Sequence, residues 1–139
     1  MWGVLVGVAF FGVYPTTNWL TGLRASQYEL FIQSELEVPF VPRFIWLYLS
    51  MYLLFGLPPF FLSEEQLKRL GKELIIGTIV SGFVFLILPS HLGFSRVLPA
   101  DDLYRPIFQG MFSIDKPYNL VPSLHVVYTA SISAALMER

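Results

Sequence analysis

DKPYNLVPSLHVVYTASISAALM, residues 115–137, joins a polar loop to an apolar segment. Pro122 predicts a helix start, because proline is tolerated in a first turn, where its missing N–H would have no intrahelical partner. Ser123, Leu124 and His125 are then expected in that turn, beside free backbone N–H groups and the positive end of the helix dipole. This position suits an anion such as phosphate, and the histidine beside it can exchange a proton near neutral pH.

Charged residues are few and unevenly spread along the 139-residue chain. Only 14% of the residues are charged and 55% are hydrophobic, whereas about 25% of the residues of soluble domains are charged. The uncharged runs lack the polar residue every three or four positions that a soluble bundle would show. They cover residues 1–23, 44–63, 74–95 and 117–137.

Each uncharged run is close to the roughly 20 residues that a bilayer-spanning helix needs. We therefore predict an all-α fold, a multi-pass transmembrane helical bundle that forms a single membrane domain over residues 1–139. This domain is expected to be embedded in the lipid bilayer. The four predicted membrane helices cover about residues 1–20, 44–62, 74–92 and 122–137.

Composition also excludes several functional classes. The net charge of −1 argues against a nucleic-acid partner. The absence of cysteine removes disulfides, zinc–thiolate sites and thiol chemistry. No cluster of carboxylates and histidines has the spacing of metal ligands, so neither a metal nor a cofactor is expected.

The most charged segment, residues 63–73, is predicted to be a short connector between membrane helices. Its three basic residues place it in the cytoplasm by the positive-inside rule. Connectors 24–43 and 93–119 then face the extracytoplasmic side or an organelle lumen. The basic and histidine side chains expected together at that face are His91, Arg96, Arg105, Lys116 and His125.

These residues resemble the type 2 phosphatidic acid phosphatase superfamily, particularly its membrane branch of inositol phosphorylceramide synthase-like proteins. The resemblance rests on residues 115–119 followed by Pro-Ser-Leu-His at 122–125, and it extends more loosely over about residues 35–130. The usual second motif of the family is Pro-Ser-Gly-His, and Leu124 replaces the glycine here, as is common in that branch. The resemblance implies a membrane lipid substrate and phosphohistidine chemistry without a metal.

The resemblance implies roles for three residues around the second motif. His125 matches the histidine that protonates the leaving group, and it is the predicted catalytic residue. Ser123 matches the phosphate-binding serine, whose hydroxyl and neighbouring N–H groups would hold the negative oxygens. Asn119, the last residue of the 115–119 segment on which the resemblance rests, is included among the predicted substrate-binding residues.

The first motif of the family, a basic residue some way before an Arg-Pro pair, is poorly kept. Arg96 is the best match for its arginine but is followed by Val97, whereas Arg105 has the proline at a different spacing. His91 is a candidate for the first basic position. All three are predicted to bind substrate, and an arginine fork can hold two phosphate oxygens at once.

The third motif, which supplies a nucleophilic histidine and its orienting aspartate, has no counterpart among the fourteen residues after His125. The chain is therefore expected to be the amino-terminal part of a six-helix domain, and inactive by itself. With water as acceptor the complete enzyme would be a phosphatase, and with an alcohol a phosphotransferase. The alternative is a non-catalytic four-helix membrane scaffold or a transporter-like protein.

Overall fold

Helices account for the regular structure of residues 1–138, the part of the chain that the computed structural model describes, apart from two isolated β-bridges. This confirms the predicted all-α class. Two short 3₁₀ turns, Gln33–Glu37 and Pro42–Phe44, precede the second helix. The α-helices are α1 (Trp2–Gly22), α2 (Ile45–Gly56), α3 (Pro58–Phe61), α4 (Glu64–Ile87), α5 (Arg105–Ile114) and α6 (Leu124–Met137).

The boundaries of α4 correct the prediction of a connector over residues 63–73. Ser63 accepts a hydrogen bond from the backbone N–H of Gln66, and the Gln66 side chain accepts one from the Ser63 backbone N–H. This reciprocal cap starts the helix ten residues before the predicted start at 74. The charged residues thus lie on a helix that continues into the apolar run and ends at Ile87, before Pro89.

Two further corrections concern α5 and α6. The predicted connector 93–119 contains the unpredicted helix α5, which begins at Arg105. Pro122 lies outside α6, because Ser123 has an extended backbone (φ −68°, ψ 117°) and is the residue that precedes the first turn. His125 is consequently the second residue of the helix.

A separate correction concerns the predicted helix 44–62, which is divided into α2 and α3 at Leu57.

Small residues of α4 allow α1 to pack closely against it. A Cβ atom added to Gly71 would lie 3.0 Å from the Trp2 ring, and one added to Gly82 would lie 2.3 Å from Val13 Cγ1. Because the residue numbers of both partners rise together, α1 and α4 run parallel. The two glycines therefore let the helices approach closely.

Helix α6 packs beside α1 on the same face of α4 and runs antiparallel to α4. Thr78 and Tyr128 share a hydrogen bond of 2.7 Å between their hydroxyls, and Arg69 lies 3.6 Å from Glu138. Helix α2 runs parallel to α6, since Tyr48 contacts His125 and Phe55 contacts Tyr128. The carboxyl ends of α1 and α4 therefore meet the amino ends of α2 and α6 at one end of the bundle.

The outer surface of the bundle is apolar. Helices α1 and α4 are each long and apolar enough to cross a membrane, whereas α2 and α6 have 12 and 14 residues. On α4, apolar side chains more than half exposed lie opposite the packed face; these are Ile76, Ile79, Val80, Phe83 and Ile87. Such a surface suits contact with lipid better than contact with water.

Replacing Gly82 by alanine is expected to lower the free energy of unfolding by about 1–3 kcal/mol, because the new methyl group overlaps Val13 across the α1–α4 contact. Thermal unfolding in detergent measures the change. Gly12→Ala is the matched control, since an added Cβ there meets no atom within 4 Å. Val13→Ala combined with Gly82→Ala should recover part of the loss, and an equal effect of both single alanine variants would contradict the packing.

Candidate functional site

His125 lies at the start of α6 and is held by α2. Its Nε2 atom lies 3.0 Å from the hydroxyl oxygen of Tyr48, within hydrogen-bond distance. The two rings are 5.2 Å apart between centroids, and Tyr52 stands edge-on to the imidazole at 6.3 Å. The histidine is half-buried. A tyrosine hydroxyl and an aromatic wall therefore fix the orientation of the imidazole.

A second polar group forms around Asp115, in the loop that precedes the Pro-Ser-Leu-His segment. One carboxylate oxygen accepts a hydrogen bond of 2.6 Å from the Tyr14 hydroxyl of α1. The other lies 3.2 Å from Nη2 of Arg96, whose Nη1 donates to the Asp115 carbonyl. The guanidinium also lies over the Phe112 ring, 4.9 Å from its centroid. Arg96 is thus oriented by an acid, a carbonyl and a ring.

The two polar groups meet at a cavity of about 590 Å³. Tyr48, Arg96 and Asp115 line it, whereas His125 lies behind Tyr48 and does not. Most other lining side chains are apolar and come from the segment before α2, the segment after α4, and α5; among them are Phe40, Phe44, Phe94, Phe108 and Phe112. A largely apolar cavity with a few convergent polar groups is the usual form of a ligand site.

Ser123 precedes the first turn of α6, two residues before His125 in sequence. Its hydroxyl does not cap the helix, although its carbonyl accepts the first intrahelical bond, from Val127. Ser123 is half-buried and does not line the cavity. The structure therefore leaves this hydroxyl uncommitted to the helix end, at the same end of the bundle as His125.

Asn119 belongs to the scaffold of the site. It is buried, with 4% of its surface exposed, and its backbone has a positive φ of 60°. Its side chain donates to Thr17 and accepts from Thr21, at 3.0 and 2.8 Å. Its backbone N–H donates to the carbonyl of Ser90. Both ends of the amide are therefore used to attach the loop to α1, and Asn119 does not line the cavity.

The remaining predicted substrate-binding residues lie at the same end of the bundle but outside the cavity. His91 pairs with Tyr118 in a β-bridge, and its Nδ1 lies 2.8 Å from the carbonyl of Leu92. Arg105 is exposed at the first position of α5. Of the two arginines that match the first motif only in part, the structure brings Arg96 to the cavity and leaves Arg105 outside.

Sequence reasoning missed Tyr14 and the part played by Asp115. Tyr14 lies 101 residues before its hydrogen-bond partner, so no local pattern connects the two. Asp115 was noted only as part of a motif, although an acid in the same predicted connector as several basic residues is a signal for an ion pair. Tyr48 was not among the predicted site residues, and the structure places it both at the cavity and beside His125.

Within residues 1–138, no group of three or more histidines or carboxylates is arranged to hold a metal ion. The polar side chains that line the cavity are Glu35, Tyr48, Ser95, Arg96 and Asp115. His125 and Tyr14 lie outside the lining, within hydrogen-bond distance of Tyr48 and Asp115. Compared with known proteins, the chain matches no family profile, no curated protein and no solved structure.

Replacing Asn119 by alanine is expected to destabilise the protein by about 2–4 kcal/mol, because two buried side-chain hydrogen bonds are lost and alanine is strained at positive φ. Thermal unfolding in detergent checks the value. Thr21→Val removes one of these bonds and should cost less than half as much. If Asn119→Ala instead leaves the midpoint unchanged, the loop is not held to α1 through this amide.

Proposed function

We propose that the chain forms a four-span, multi-pass membrane domain of a lipid phosphatase or phosphotransferase similar to type 2 phosphatidic acid phosphatases. Its site would face the extracytoplasmic or lumenal side. The observation that supports this best is the joint placement of Arg96, Asp115 and Tyr48 around one apolar cavity, with His125 bonded to Tyr48. All four belong to one end of the bundle.

The apolar exterior supports the membrane part of the proposal. Helices α1 and α4 each suffice to span a bilayer. We propose that α2 with α3, and α6, are the other two spans, since both expose large apolar side chains such as Leu53, Phe60 and Val126. Spans shorter than about 17 residues require local thinning of the bilayer or flanking segments that complete them. The basic residues of the first turns of α4 would then lie on the cytoplasmic side.

The shape and chemistry of the cavity support a lipid substrate. Its phenylalanine-rich walls offer an apolar surface for an acyl chain, and the Arg96 guanidinium in its lining offers a fork for phosphate oxygens. Asp115 already pairs with Arg96, so an entering phosphate would have to share the guanidinium or displace the carboxylate. Such competition lowers affinity and makes the lipid tail an important part of binding.

In the proposed reaction a nucleophilic imidazole attacks phosphorus, and the bond from phosphorus to the leaving oxygen breaks. His125 is the source of the proton that the leaving oxygen requires. Ser123, beside the amino end of α6, would contribute its hydroxyl to the phosphate oxygens. No imidazole lines the cavity within residues 1–138, so we propose that the nucleophile is a histidine outside the described residues.

One observation favours the non-catalytic alternative. Arg96, the only basic residue among the described cavity-lining side chains, is already neutralised by Asp115 in the absence of ligand. A scaffold or transporter-like protein would use such an ion pair to fix the end of the bundle and would need no phosphate. The two functions differ in whether Arg96 separates from Asp115 to bind a phosphate. Phosphate binding can be measured on the 139-residue chain.

Arg96→Gln is expected to weaken binding of phosphatidic acid to the 139-residue chain about tenfold, because a charge-assisted contact of roughly 1.5 kcal/mol is lost. Asp115→Asn should strengthen binding several-fold, because it releases the guanidinium from its internal partner. Arg105→Gln removes an equal charge outside the cavity and is the control. Fluorescence titration in nanodiscs gives the affinities. A loss of affinity in both Arg96→Gln and Asp115→Asn would mean that the ion pair is only structural.

His125→Asn is expected to lower phosphate release from a lipid phosphate at least 100-fold in the protein expressed from its full reading frame, because the leaving group loses its proton source. Phosphate release from membranes, normalised to protein level, measures this. His91→Asn removes an imidazole that does not line the cavity, and it should lower the rate of phosphate release at most a few-fold. Undiminished turnover by His125→Asn would contradict its proposed role, and a wild-type protein without turnover would favour the scaffold.

A further inference from the structure

Tyr48 separates His125 from the cavity. The phenol lines the cavity and its hydroxyl lies 3.0 Å from His125 Nε2, whereas the imidazole is not part of the lining. We propose that the Tyr48 hydroxyl relays the proton between His125 and the leaving oxygen of a substrate bound in the cavity. This inference rests on the proposed phosphatase or phosphotransferase function and adds a residue to it.

The position of Tyr48 is fixed from several directions. It lies in the first turn of α2, three residues after the buried Ile45. Its ring packs against His125 at 5.2 Å and against Tyr52 at 6.3 Å between centroids. These contacts fix the Tyr48 ring beside the imidazole, in a side chain that also lines the cavity. A relay needs such a fixed geometry, because proton transfer requires hydrogen-bond distance at both steps.

A phenol is suited to this task because its oxygen donates one hydrogen bond and accepts others. In the first half-reaction, the bond from phosphorus to the leaving oxygen breaks while the nucleophilic imidazole bonds to phosphorus. The Tyr48 proton moves to the leaving oxygen, and the Nε2 proton of protonated His125 moves to the Tyr48 oxygen. The products are a neutral alcohol, a neutral phenol and a neutral His125.

The second half-reaction returns every proton. Water attacks phosphorus, and its oxygen bonds to phosphorus while the nucleophilic imidazole leaves. The water gives a proton to the Tyr48 oxygen, and the Tyr48 proton moves to Nε2 of His125. His125 is again protonated and Tyr48 is again neutral, so neither residue needs to persist as a phenolate. With an alcohol as acceptor, the same sequence gives phosphoryl transfer.

Leaving-group dependence tests the relay, because a good leaving group departs without a proton. In the protein from its full reading frame, Tyr48→Phe is expected to lower turnover of a lipid phosphate about 100-fold. Turnover of p-nitrophenyl phosphate should fall less than about threefold, since nitrophenolate needs no proton donor. His125→Asn should show the same contrast. Tyr28→Phe removes an exposed phenol hydroxyl outside the cavity and is the control.

Each outcome decides the proposal. Selective loss on the lipid phosphate supports the relay. Equal loss on both substrates would show that Tyr48 only maintains the site, and no loss on the lipid phosphate would show that His125 reaches the substrate directly. Either result would overturn the relay, whereas turnover of the substrates by the wild-type protein would still support the proposed function. Absence of wild-type turnover on either substrate would overturn the relay together with that function.

Discussion

The small-residue face of α4 is the constraint on which the site depends. Gly71 and Gly82 let α1 approach closely, while Thr78 on the same face of α4 shares a hydrogen bond with Tyr128 of α6. Because α1 runs parallel to α4 and α6 runs antiparallel to it, the carboxyl ends of α1 and α4 lie at the same end of the bundle as the amino end of α6. The loops after α1 and α4 are thereby brought against the amino end of α6. A bulkier residue at either glycine would move α1 and the groups that it supports at that end.

A second constraint transfers this alignment to the chemistry. The loop before α6 is attached to α1 through Asn119, whose side chain bonds to Thr17 and Thr21. Four residues earlier in the loop, Asp115 bonds to Tyr14 of the same helix and orients Arg96. A single helix thus positions both the scaffold amide and the ion pair. The packing of α1 therefore sets the position of the loop, and the position of the loop sets the orientation of the Arg96 guanidinium at the cavity.

The sequence was sufficient for features that depend on local pattern. Uncharged runs predicted helices near their observed places. Features set by polar capping or by distant contacts were missed. The charged start of α4 was read as a connector because its helix cap outweighs its polarity. The partnership of Tyr14 with Asp115 depends on how α1 packs, which no spacing within either segment encodes.

We propose that the helices cross a bilayer and gather the site residues on one side of it, opposite the basic start of α4. The chain has no native cysteine, so a single exposed cysteine can be introduced at Lys72 or at Lys116 and labelled with a membrane-impermeant maleimide on sealed vesicles. We expect Lys72→Cys and Lys116→Cys to be labelled from opposite sides of the membrane. Labelling of both from the same side would contradict this topology.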